Sequence, residues 1–206
     1  MLPNDFAPWS AVYYYFKKWK EDGTFEEIMD RLNESQRKKM NKNALPSLGI
    51  IDSQSVKTAH TCSQDVGYDA GKKVKGRKRH IVTDTLGCLL LVMAHGAGVQ
   101  DRNGIKEVLP WLKSKSLSNV KTIIADGGHS GQPIIDWVKE TLSWKIEIVK
   151  RPDSPEFKVL PKRWIVERTL AWISYSRRNS RDYEKLTNTS EAMTQLSMIR
   201  IYINRY

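Results

Sequence analysis

Hydrophobic positions along the chain follow two different rhythms. Within residues 8–40 they recur at three- and four-residue steps: Trp9, Val12, Tyr13, Phe16 and Trp19, then Ile28, Met29 and Leu32. That period predicts two amphipathic helices separated at Asp22-Gly23. Ser10 is placed to cap the first, and Tyr13-Tyr14-Tyr15 read as helix packing. Residues 38–42 are polar and basic and read as a linker. From Leu48 the pattern changes to short apolar runs. Leu48–Ile51 ends in Asp52. Residues 79–85 and 88–97 flank Asp84-Thr85-Leu86-Gly87, a hairpin turn signal. Val120–Ala125 ends in Asp126, and 145–149 predicts one more strand. Helical periods cover 103–115, 133–142, 164–173 and 190–203. Strand, hairpin, helix, strand, helix, strand, helix implies a mixed sheet with helices on its faces. The expectation is one α/β domain over 46–206 behind a helical leader and linker over 1–45.

Charge narrows the partners. The chain has 206 residues, with 34 Lys and Arg against 23 Asp and Glu, for a net +11. So basic a chain suits a polyanion, because each neutralised phosphate releases counterions. Lys72, Lys73, Lys75, Arg77, Lys78 and Arg79 form a run without an acid, and Gly67 to Gly76 reads as a loop able to grip phosphates. Arg177, Arg178 and Arg181 read the same way, while Tyr175 and Trp172 read as core. No apolar run approaches the roughly 20 residues of a spanning helix, and no signal-peptide pattern opens the chain. Cys62 and Cys88 stand far apart, with neither disulfide nor zinc spacing, so a reducing cytoplasm is expected. The four histidines also lack metal-ligand spacing; His129, three residues after Asp126, is read as non-ligating.

Two acids share one context, Ile50-Ile51-Asp52 and Ile124-Ala125-Asp126-Gly127-Gly128, each delivered by a buried strand. A third, Glu167, lies on a largely apolar helix one turn after Arg163, where the plain alternative is an ion pair between the two. Asp84 and Asp101 read as turn acids. Clustered carboxylates raise each other's pKa unless cations intervene, and hard oxygen donors suit Mg²⁺ or Mn²⁺. Acids on a basic chain point to phosphoryl transfer on nucleic acid.

The stretches Ile51-Asp52-Ser53-Gln54-Ser55-Val56-Lys57, Gly71 to His80, Ala125-Asp126-Gly127-Gly128 and Trp164 to Thr169 resemble bacterial insertion-sequence transposases, most closely insertion-sequence family five. The likeness runs in order over nearly the whole chain, from Leu2 onward. It implies a ribonuclease-H-like fold and a DDE triad of Asp52, Asp126 and Glu167 that is both catalytic and metal-binding, with two Mg²⁺ or Mn²⁺ ions. It also implies cleavage at element ends followed by strand transfer, with double-stranded DNA (terminal inverted repeats and target) as partner. Lys57, Arg163, Arg168 and the basic residues above are then the expected nucleic-acid contacts. A homodimer or larger synaptic complex and a bacterial, nucleoid-associated setting follow. In the helix signature, Leu160 stands where relatives have Tyr and Ser174 where they have Lys; Arg177 and Arg178 are the expected substitutes. The leader resembles the later part of a helical DNA-binding region. The rival readings are an unproductive DNA-binding remnant and a metal-dependent ribonuclease-H-like nuclease.

Overall fold

The computed structural model describes residues 3–62, 64–115, 119–149 and 162–205. Its helices and strands are α1 (Trp9–Glu21), α2 (Thr24–Lys39), β1 (Leu48–Lys57), β2 (Gly67–Asp69), β3 (Val74–Thr83), β4 (Leu89–Gly96), α3 (Asp101–Ser114), β5 (Thr122–Asp126), α4 (Gln132–Trp137), β6 (Lys145–Val149), α5 (Arg163–Tyr175), α6 (Arg177–Ser180) and α7 (Thr187–Arg205). β1, β3 and β4 pair antiparallel, β5 and β6 extend the sheet parallel to β1, and short β2 pairs with the start of β3. This is the mixed sheet flanked by helices that the element order predicts, with the curl of a ribonuclease-H-like fold.

Alternation along the strands separates two cores, since successive side chains point to opposite faces. Ile50, Ile81 and Ile124 pack under α2, α5 and α7 with Met29, Val166, Leu170 and Met198. Ile51, Val82, Ile123 and Ala125 pack under α3 and α4 with Ile105, Val108, Leu109 and Val138. The turn before β4 closes as expected: Gly87 has φ +83° and the Asp84 carboxylate accepts from the amides of Leu86 and Cys88. Asp84 is fully buried against Arg37, so α2 is tied to the hairpin by an ion pair as well as by Phe25 and Met29.

Several expectations are corrected. Ser10 lies inside α1, whose N-cap is Pro8, and no residue of α1 is buried. Trp9, Tyr13, Tyr14 and Tyr15 are exposed; only Phe16 and Trp19 reach Phe25. The basic run is largely strand: β3 begins at Val74, and β1 continues past Asp52 to Lys57. Periodicity reports an amphipathic helix but cannot report whether anything covers its apolar face. Among the described residues, no helix is long and apolar enough to cross a membrane.

Glu191 of α7 yields a stability test. Its carboxyl accepts from the Ala94 amide at 2.8 Å, and burial pushes its pKa from 4.5 up to about 7. The folded chain therefore retains a proton that the unfolded chain releases, and stability falls as pH rises from about 4.5 to about 7. Glu191→Gln keeps the acceptor and removes the ionisation. It is expected to melt higher than the parent at pH 8, by on the order of 1–3 kcal/mol, and level with it at pH 4. A lower melting temperature at pH 8 would contradict this.

Candidate active site

The register of the sheet brings two acids together. Parallel pairing of β1 with β5 runs Leu48↔Thr122, Gly49↔Ile123, Ile50↔Ile124. Two residues beyond that last pair on each strand come Asp52 and Asp126, close enough that the charge of Asp126 bears on Asp52. Both lie two residues after a core isoleucine, so both carboxylates belong to the face that α5 covers. Their electrostatics differ. Asp52 is pushed up by burial and further by the charge of Asp126, against the Ser53 amide, which donates to its Oδ1 at 2.7 Å. Asp126 is held below the ordinary carboxylate range, chiefly by His129, whose Nδ1 lies 2.7 Å from Oδ1, while burial opposes. The Gly128 amide donates to the same oxygen at 3.0 Å.

Helix α5 carries the third acid and a cation. Arg163 Nη2 lies 3.4 Å from Asp126 Oδ2 and 3.3 Å from Glu167 Oε1, so one guanidinium nitrogen links the second and third acids. The alternative reading, an ion pair one helical turn apart, is therefore realised, and Arg163 also reaches the acid that ends β5. Glu167 is half exposed, at 51%. Among the described residues, no three carboxylate, histidine or thiol groups converge closely enough to hold a metal ion in this conformation. The donor set still suits one: Asp52 and Asp126 are adjacent hard oxygen donors, and each ionises more readily when a cation is near.

Beneath the acids lies a polar layer that sequence reasoning did not assemble. Asp101 looks like a turn acid in sequence, yet its Oδ1 accepts from Ser53 Oγ at 2.8 Å and Lys78 Nζ at 3.0 Å, and lies 3.6 Å from His80 Nε2. His80 in turn meets His95 at 2.7 Å and is driven down to about 4 by burial, so it is neutral at physiological pH. Its ring presses on α3 where a Cβ on Gly104 would come within 2.3 Å. His129 is fully buried beside it and fixes Asp126. The position of Asp101, an acid opening the helix after the hairpin, was the available signal. What that signal lacked was the partner, Ser53, 48 positions away.

The predicted nucleic-acid contacts divide sharply. Lys57, Lys72, Lys73, Lys75, Arg177 and Arg178 are exposed. Arg77, Lys78 and Arg79 form no surface, which corrects their reading as part of a phosphate-gripping run. Arg77 donates to the carbonyls of Gln64, Glu184 and Lys185 and pairs with Asp182; Arg79 donates to Asn179 O and also faces Asp182. Lys78 is buried between Asp101, Asp69 and Val99 O. Arg168 is sandwiched between Trp164 and Trp172, 4.7 and 4.5 Å from their ring centroids, and donates to Leu86 O. Arg178 pairs with Glu184. Ser174 bonds Gln54 and Leu170 O, while Leu160 lies outside the described residues. Tyr175, expected in the core, is 88% exposed.

Among solved structures, the chain is similar to a cryo-EM structure of the piggyBac transposase synaptic complex with hairpin DNA, at 18% identity and a TM-score of 0.34, over 55% of this chain. It spans 25% of that chain's length. No curated protein matches it. Residues 43–201 match the family described as the transposase DDE domain, and the chain belongs to that family.

Proposed function

We propose that this chain is a DNA transposase of the family-five insertion-sequence kind, cleaving DNA at element ends and joining the freed 3′ hydroxyl to target DNA. The observation that carries the reading is the delivery of Asp52 and Asp126 by the paired strands β1 and β5, near a helix bearing Arg163 and Glu167. Asp52, Asp126 and Glu167 are the groups that would hold two Mg²⁺ or Mn²⁺ ions. Such ions activate the attacking oxygen and stabilise the leaving one in phosphodiester displacement.

The protein's own groups would do the rest. His129 and the Gly128 amide hold the Asp126 carboxylate in one orientation and keep it ionised. Asp101, through Ser53, pins β1 directly after Asp52. Arg163 balances the negative charge of two acids. Exposed Lys57, Lys72, Lys73, Lys75 and Arg177 are the proposed phosphate contacts, steering duplex DNA in a salt-dependent way. The leader over 1–45 is proposed as part of a DNA-binding region, and joining two element ends calls for a dimer or larger synaptic assembly.

A ribonuclease-H-like nuclease would use a similar carboxylate set, because fold alone does not choose the reaction. Competition separates them. With Mg²⁺ or Mn²⁺, end-containing duplex DNA is expected to suppress cleavage of an RNA–DNA hybrid and to yield joined strands. Cleavage confined to the RNA of the hybrid would overturn the transposase reading.

A further inference from the structure

Two cations bear on Asp52, Arg163 and Lys72. Arg163 is buried and already shared between Asp126 and Glu167. Lys72 differs: its stem is exposed, but its ammonium is anchored, with Nζ 3.0 Å from Ser53 O and 3.5 Å from Ser53 Oγ. The group therefore rests on the residue immediately after Asp52, close enough for its charge to bear on that carboxylate.

The segment between β2 and β3 is built to hold it there. Asp69, the last residue of β2, accepts from the Lys72 amide at 3.0 Å through one oxygen. Its other oxygen takes Ser55 Oγ at 2.5 Å and lies 3.4 Å from Lys78 Nζ. Ser55 sits on β1, two residues beyond Ser53, and Lys78 on β3. The turn is thus fastened to both central strands, and Lys73 follows in the left-handed region at φ +53°. A long flexible side chain is usually worth little at a surface because holding it costs rotamer entropy. Here part of that ordering is already done by the loop.

We infer that Lys72 is a catalytic residue that contacts a non-bridging oxygen of the phosphate being cut, a role beyond its part in general DNA grip. An ammonium has three donors, and the Ser53 contacts leave capacity for phosphate oxygens. Charge moves onto those oxygens during displacement, and a fixed cation facing them stabilises the transition state more than the bound DNA. The inference rests on the transposase reading above.

The test compares the parent chain with Lys72→Met and Lys72→Arg. At saturating duplex DNA, Lys72→Met is expected to lower the single-turnover cleavage rate by about 10²-fold, with duplex affinity changed by no more than about 3-fold, and Lys72→Arg to recover most of the rate. A full rate for Lys72→Met at saturation, or equal loss in both variants, would overturn the inference. A second arm does not depend on turnover. In ¹⁵N-lysine-labelled protein with Ca²⁺ and a short end-containing duplex, the ammonium resonance assigned through Lys72→Met is expected to shift on titration. An unmoved resonance with the duplex bound would also overturn it. A parent that binds and shifts but never cleaves would instead contradict the transposase reading.

Discussion

Asp126→Asn is expected to leave a folded protein whose metal-dependent DNA cleavage is at least on the order of 10²–10³-fold slower than the parent's. The amide can still accept from the Gly128 amide and from His129, both within 3.0 Å of Oδ1 in the parent. The local turn therefore survives. What disappears is the negative charge shared with Asp52 and faced by Arg163, which is the feature that would attract a divalent ion. The check is a single-turnover cleavage assay beside a thermal melt. A variant cleaving within about 3-fold of the parent would remove Asp126 from the chemistry.

The second large effect is on stability. Asp182 is fully buried, 3.4 Å from Arg77 and 3.8 Å from Arg79, and accepts from Ser190 Oγ at 2.6 Å and the Glu184 amide at 3.0 Å. It draws the segment before α7 onto β3. Asp182→Ala would deprive two buried guanidinium groups of the carboxylate they pair with, and removing one partner of a buried ion pair costs about 3–5 kcal/mol. For a chain of this size that corresponds to a fall of about 10 °C in melting temperature. A fall below about 2 °C would mean that the carbonyls around Arg77 and Arg79 suffice to hold them.

Those two arginines also mark where sequence reasoning stops. The alternation of Ile50, Ile51, Ile123 and Ile124 specifies strands buried on both faces, and the structure has them so. The apolar content of 164–173 likewise specifies a covered helix, which is α5. The run from Lys72 to Arg79 could not be resolved in this way. Its charges look alike in sequence, yet the acids that bury Arg77, Lys78 and Arg79 are Asp182, Asp101 and Asp69, none of them on β3. Asp101 was invisible for the same reason, since its partners Ser53, Lys78 and His80 lie on β1 and β3. The acids that follow buried apolar runs were legible because burial and position are local properties. A polar network is a property of the assembled fold. The proposed triad is legible as three separate acids; only the pairing of β1 with β5 brings Asp52 near Asp126.

The central claim is that this carboxylate pair, with Glu167, performs metal-dependent DNA cutting and joining. The most direct measurement incubates the chain with end-containing duplex and target DNA, with and without Mg²⁺ or Mn²⁺, and maps the products. Nicks bearing 3′ hydroxyls and joined strands are expected, both absent without metal and both lost in Asp126→Asn. Products that form equally without divalent metal, or that persist in Asp126→Asn, would contradict it.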